Sequence, residues 1–349
     1  MMWAVFICLT PAAIFGVLLF GLSALAVLLT ALAAALLTEV AVTSALGLHH
    51  TLGDGSAAVT GLLLGMSMPP GVALHVPVIA SVFAIAVVKW TFGGLGKNWM
   101  NPALAGRVFV FFSFETEMTQ WRLPSVLVQN SASGSADAVS GATILGLLHR
   151  GQESGSIGAP SAFLRSAEFP VSRFDERITA FLNEHLFEPV HVFLPAGYVD
   201  PFLGLIPGSI GEVSALLLLL GTVFLWSRRI LRWEISFSYF LAFALCTWVF
   251  GGTVYGTGPF SGDVLLHLLS GGLVLTLFYM ANDPATAPMS PTGMIIYGSI
   301  AGILTFLLRF YGSYPEGVAL AVLLANVATP VIDRWTRPAR FGAAREGRA

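Results

Sequence analysis

This sequence has little charge. Ten percent of its 349 residues are charged, and only two of the seventeen basic residues are lysine. The net charge of −2 and the want of any dense basic stripe exclude nucleic acid as a partner. Thiols are nearly absent as well: Cys8 and Cys246 each stand alone in an apolar run and read as small buried hydrophobes. No cluster of cysteine or histidine suggests a metal of the chain's own.

What remains is apolar. Fifty-six percent of the residues are hydrophobic and the mean hydropathy is +0.80, far above what a soluble domain needs. The solvent for most of the chain is lipid, where the backbone must satisfy its own hydrogen bonds. The apolar runs are too long and continuous for alternating barrel strands, so the spans are helices. Residues 1–20 could pass for a signal peptide, but they lack a basic start and run almost directly into a second apolar segment. They read as the first span.

A spanning helix needs about 20 apolar residues. Such runs fall at 3–20, 22–46, 72–92, 102–114, 210–227, 233–253, 263–282, 291–310 and 315–333, with a shorter one at 56–68. The pattern predicts an all-α polytopic membrane protein of about ten transmembrane helices. It divides into 1–114, a polar insertion over 115–207, a second set over 208–335, and a basic tail over 336–349. Inside the insertion, Phe174, Ile178, Phe181, Leu182 and Leu186 share one face of an amphipathic helix, with Ser172 and Asp175 placed as caps. That face suits a membrane surface, a partner, or a cover over the chain's own spans.

Basic residues of short loops mark the cytoplasmic side. Arg228, Arg229 and Arg232 crowd one turn, and Arg334, Arg337, Arg340, Arg345 and Arg348 crowd the tail. Ten crossings then put both termini and Lys97 in the cytoplasm and the insertion outside.

The halves echo one another. Thr60-Gly61 lies in a run ending at Pro69-Pro70, and Ser270-Gly271-Gly272 in a run ending at Asp283-Pro284. At about 1.5 Å per residue the first run is too short for a bilayer core of about 30 Å, so it is a broken helix. Broken helices at matching places in two five-span halves are the trace of an inverted repeat.

The most specific local signal is Asp137-Ala-Val-Ser140-Gly141-Ala142-Thr143. A threonine hydroxyl can accept a phosphate ester where small neighbours leave room for an enzyme to deliver a nucleotide. By itself the segment would be a turn and a helix cap. Around it stand Gly93-Gly94-Leu-Gly96-Lys97-Asn98, Asn101-Pro102-Ala-Leu-Ala-Gly106-Arg107, Pro207-Gly208-Ser-Ile-Gly211-Glu212, Met280-Ala-Asn-Asp283-Pro284 and Tyr314-Pro315-Glu316-Gly317. In this order the blocks resemble the D subunit of Rnf complexes and the B subunit of the sodium-pumping NADH:quinone reductase, over nearly the whole chain.

The resemblance implies FMN esterified to Thr143 by a flavin transferase, with Asp137, Ser140, Gly141 and Ala142 forming the recognition segment. It also allows a second, non-covalent flavin such as riboflavin. It implies a urea-transporter-like fold of two inverted five-helix repeats in a bacterial inner membrane, and a multi-subunit complex that couples electron transfer to Na⁺ or H⁺ movement. The early first span favours the ferredoxin:NAD (Rnf) branch over the quinone-reductase branch. The rival of another class is a urea-transporter-like channel with no redox role, which would not need Asp137–Thr143.

Glu39, Glu212, Asp283, Glu316 and Asp333 lie in or at the ends of apolar runs. A mid-bilayer charge costs at least about 2.5–3.5 kcal/mol, so such acids are functional candidates unless they cap a helix or find a partner. Asp283, Glu316 and Asp333 are the ion-path candidates, Asp283 because it is placed at a broken helix. His267, four residues after Asp263, could relay protons or hydrogen-bond a neighbouring helix. Gly93–Asn98 lacks the full phosphate-loop spacing and reads as a tight turn.

Overall fold

The computed structural model describes residues 1–124, 127, 141–155, 157–188, 193–212, 214–314 and 316–336. Asp137, Ser140 and most of the basic tail therefore lie outside the described residues. Among those described, helices are the only regular elements of any length.

Five are long and apolar enough to cross a membrane by length and composition: α1 (Met2–Phe20), α2 (Leu22–Ala45), α9 (Trp233–Tyr255), α12 (Pro291–Tyr311) and α13 (Val318–Thr336). Four shorter apolar helices accompany them: α3 (Ser56–Met66), α4 (His75–Lys89), α5 (Pro102–Ser113) and α8 (Ala215–Ser227). The insertion contributes α6 (Ile144–Ser154) and α7 (Arg173–Leu182). A broken helix completes the set, with α10 (Val264–Leu269) and α11 (273–280) separated by Ser270-Gly271-Gly272. The protein is a multi-pass, all-helical membrane protein.

Several helices are short because part of each apolar run is spent in turns. The run at 210–227 is helical only from Ala215, so its first part is not helix as the hydropathy suggests. Instead Ile210 N–H donates to Met68 O at 3.1 Å and Gly211 N–H to Met66 O at 2.7 Å. The end of α3 and the turn before α8 thus satisfy part of each other's backbone. At the other break, Gly271 and Gly272 take φ of 65° and 68°, a left-handed geometry that side chains resist.

Close helix contacts rest on small residues. On α12, Gly298 and Gly302 meet the backbone of Ile235 and Tyr239 on α9, where any Cβ would overlap. Across the halves, α1 packs against α8 and α5 against α13. The Asn101 side chain caps α5 and donates to Met280 O at 3.0 Å, tying the same two halves together.

The connections sort onto two sides. Met1, Arg229, Arg232, Asn282 and Met289 line one cavity, and the end of α13 joins them through Ser290 and Thr336. The insertion covers the opposite side, where Gln152 donates to Phe310 O and Gly158 N–H to Tyr255 O. Met1, Arg229 and Arg232, which the arginine clusters lead one to expect on one side, line that single cavity together.

In the insertion, α7 forms as its pattern predicts, capped by Ser172 accepting from Asp175 N–H at 3.0 Å. The Asp175 carboxylate does not cap. It is buried and accepts from Gly197 and Asp200 N–H at 2.7 and 2.8 Å, while Asp200 accepts from Ser172 N–H at 2.7 Å. Phe174, Phe181 and Leu186 are exposed, so this face does not cover the chain's own spans.

Burial pushes the Asp200 carboxyl above the usual range; two bonds from Ser172 oppose the shift and the neighbouring Asp175 adds to it. A raised folded-state pKa means stability that is full below the unfolded carboxylate value, about 3.9, and is lost as pH rises through the folded one. Acidification toward pH 4 should therefore raise the thermal stability of the insertion, and Asp200→Asn should flatten that rise. Unfolding of both proteins in detergent, followed against pH, measures it.

Candidate functional site

The segment 141–143 arrives extended, held by Gly141 N–H donating to Trp121 O at 3.2 Å. Thr143 then starts α6: its backbone is extended at φ −69°, ψ 158°, and its hydroxyl accepts from Gly146 N–H at 3.1 Å. The sequence reading of a helix cap is correct as far as it goes. Thr143 also lines a cavity of about 450 Å³, together with Phe111, Trp121, Gly141, Ala142, Arg150 and Glu316, among others.

This surrounding fits a flavin phosphate on three counts. The cavity lies in the range of small-molecule sites, about 300–1,000 Å³. A helix N-terminus favours an anion, because its first N–H groups lack partners within the helix. Arg150, on the same helix, lines the cavity with a permanent positive charge, and Phe111, Trp121 and Tyr314 supply aromatic walls for a flat ring.

Behind the cavity sits a buried cluster of four charges. Arg107 of α5 reaches Glu316 at 3.0 Å and Glu212 at 3.3 Å. Arg309 of α12 spends its guanidinium on the break between α10 and α11, donating to His267, Ser270 and Gly271 carbonyls. These are the free carbonyls of a helix end, and the arginine satisfies them inside the protein. Glu212 lies against Gly272: a Cβ there would stand 2.1 Å from its Oε1. Of the intramembrane acids, Glu212 and Glu316 are the ones placed together.

The other acids are scattered. Asp283 is not at the break as expected. It follows α11, on the side of Met1 and Asn282, because the chain resumes a full helical stretch after Gly272. There it shares a cavity of about 60 Å³ with Lys89, Asn98 and Asn101. The Asp333 carboxylate accepts from Met289 N–H at 3.0 Å and so tethers a loop. Asp263 caps α10 and accepts from Tyr198, while His267 pairs with Tyr255 at 3.1 Å, so the Asp263–His267 relay is not formed. Gly93, Gly94 and Gly96 all take positive φ, which accounts for that block as a tight turn.

Glu39 is fully partnered. Lys89 Nζ lies 2.6 Å from its Oε1, Trp90 Nε1 donates to its Oε2 at 2.9 Å, and Thr51 also donates. Lys89 further donates to Ser56 at 2.7 Å, joining α2, α3 and α4. Lys89, Arg107 and Arg309 are the residues that sequence reasoning passes over, although each is a basic residue inside an apolar run.

A family model described as the NQR2, RnfD, RnfE family matches residues 1–342. The D subunit of a proton-translocating ferredoxin:NAD(+) oxidoreductase complex from Clostridium ljungdahlii is 40% identical over 344 residues, covering 99% of this chain and 92% of that protein. The D subunit of an ion-translocating oxidoreductase complex from Halorhodospira halophila is 36% identical, covering 99% and 92%. The D subunit of a Na(+)-translocating ferredoxin:NAD(+) oxidoreductase complex from Acetobacterium woodii is 35% identical, covering 97% and 89%. With such coverage in both directions, the chain belongs to the NQR2, RnfD, RnfE family.

Proposed function

We propose that this chain is the D subunit of an ion-translocating ferredoxin:NAD oxidoreductase complex, and that it carries FMN as a phosphate ester on Thr143. The observation that supports it most is a threonine at a helix N-terminus that lines a cavity with an arginine and three aromatic side chains. The relatives named for such complexes supply the reaction and the other subunits as partners.

The bound flavin would supply the electron-carrying chemistry. The protein's own part is position and charge. The first turn of α6 and Arg150 would hold the phosphate, and Trp121, Phe111 and Tyr314 would keep water from the ring. Maturation then needs a flavin transferase acting from the insertion side. A second, non-covalent flavin such as riboflavin belongs to the same proposal, and the cavity of about 60 Å³ shared by Lys89, Asn98, Asn101 and Asp283 is too small to hold it. Asp283 and Glu316 stay as ion-path candidates, whereas the tether at Asp333 favours a structural role.

The domain reading is of two five-helix repeats, over 1–114 and 208–335. Matching broken helices and the pairing of α1 with α8 and α5 with α13 support it. In a bacterial inner membrane the arginine clusters would face the cytoplasm and the insertion the outside. Single cysteines at Glu168 and at Arg229 test this in intact cells. Glu168→Cys should react with an impermeant maleimide directly and Arg229→Cys only after permeabilisation. The reverse pattern would invert the orientation and remove the transferase from the flavin site.

The flavin itself is tested by mass spectrometry of the tryptic peptide containing Thr143 and by fluorescence of the denatured chain in a gel. An FMN-sized adduct on that peptide is expected. An unmodified peptide from cells that possess the transferase would turn the reading toward a transporter without redox chemistry.

A further inference from the structure

Two carboxylates share one arginine behind the cavity, and one of their oxygens is unused. Glu212 and Glu316 have side chains 6% and 8% exposed, and both lean on Arg107. Glu212 Oε1 lies 3.3 Å from Arg107 yet makes no hydrogen bond. Buried polar atoms are rarely left this way, and such an orphan points to a missing occupant. A void of about 10 Å³, lined by Thr143, Gly208, Glu212, Ser270, Gly271 and Glu316, adjoins them. That is room for about one water. Glu316 and Thr143 also line the larger cavity, so the two spaces share these residues.

We propose that Glu212 and Glu316 form a proton-accepting site whose occupancy follows the charge of the flavin cavity. This rests on attachment of the flavin at Thr143. The charged groups that act on the pair are Arg107 from α5 and Arg309 from α12, while Arg150 from α6 and Tyr314 from the loop before Glu316 line the larger cavity with Glu316. Two arginines stand against the two carboxylates. An added negative charge in the adjoining cavity favours the protonated form of a carboxylate, since like charges raise a carboxylate's affinity for its proton.

The balance is simple. An iron–sulfur or flavin carrier on another protein of the complex gives up one electron and the Thr143 flavin gains it. One proton leaves water and forms an O–H bond with a carboxylate oxygen of the pair. When the electron moves on, that bond breaks and the proton returns through the one-water void. A proton suits the site better than a metal cation, because Arg107 stands 3.0–3.3 Å from both carboxylates and would repel a dehydrated ion.

The test is a redox titration of the intact complex at several pH values, with the Thr143 flavin confirmed by mass spectrometry. Its midpoint potential should fall with pH more steeply in the wild type than in Glu212→Gln or Glu316→Gln. The difference approaches one proton, a tenfold change per pH unit, or about 59 mV for a one-electron couple. Glu316→Asp, which keeps a carboxyl, should restore the slope. Redox-difference infrared spectra of the wild type should show a carboxylic-acid C=O signal appearing on reduction. Equal slopes in the wild type and both Gln variants would overturn the proposal, as would potentials that follow Na⁺ at fixed pH. Should the Gln variants fail to assemble, the wild-type infrared spectrum decides, and no acid signal overturns it. A complex with no flavin on Thr143 is a different result, which removes the proposed function and this inference with it.

Discussion

Replacing Thr143 with alanine is expected to abolish covalent flavin completely while leaving the chain inserted and assembled. The hydroxyl is the only side-chain atom at this position that can form the ester, so no partial effect is possible. Its structural duty is modest, a bond from Gly146 N–H at the start of α6. Loss of such a cap costs about 0.5–2 kcal/mol. The helix is also held by the buried side chains Ile144, Leu145 and Leu148, which the substitution leaves in place. Thr143→Ser keeps both the cap and an ester-forming oxygen and should retain some flavin. In-gel fluorescence and the mass of the Thr143 peptide separate the outcomes: flavin remaining on the alanine variant would move the attachment site elsewhere.

The second large effect concerns Lys89. Removing it strands the Glu39 carboxylate among α2, α3 and α4 with only neutral donors, its side chain wholly buried. Breaking one partner of a buried ion pair costs about 3–5 kcal/mol, because the other charge is left uncompensated. Lys89→Met should therefore lower the unfolding temperature in detergent sharply and reduce the yield of assembled complex. Adding Glu39→Gln removes the stranded charge, and the double variant should recover most of the loss. A double variant as unstable as the single one would show that packing, not charge, holds this junction.

Much of the architecture is legible in the chain. Continuous apolar runs bounded by arginines dictate lipid-embedded helices, since a backbone in hydrocarbon has no other way to satisfy itself. Length marks α3 as broken, and Ser270-Gly271-Gly272 marks the second break. Ser172 and Thr143 are recognisable as caps because capping is decided within four residues. Family resemblance reaches Thr143 through blocks of sequence, and the described geometry around that hydroxyl is compatible with it.

Partnership between acids and bases is not legible. Glu39 and Lys89 stand fifty positions apart, and Arg107 meets Glu316 across 209. A one-dimensional pattern can mark each as a costly charge in an apolar run, but it cannot say which charge cancels which. The same limit misplaces Asp283: nearness to a Gly-rich break in sequence is not nearness in space, because a helical stretch carries the residue to the opposite side. Sequence by itself determined the solvent, the helices and their breaks, because those follow from local hydropathy and backbone chemistry, whereas the candidate ester oxygen came from the family resemblance. Only the tertiary structure decided that Glu212 and Glu316 share Arg107 behind Thr143, because desolvation lets a buried charge persist only where distant segments of the fold bring it a partner.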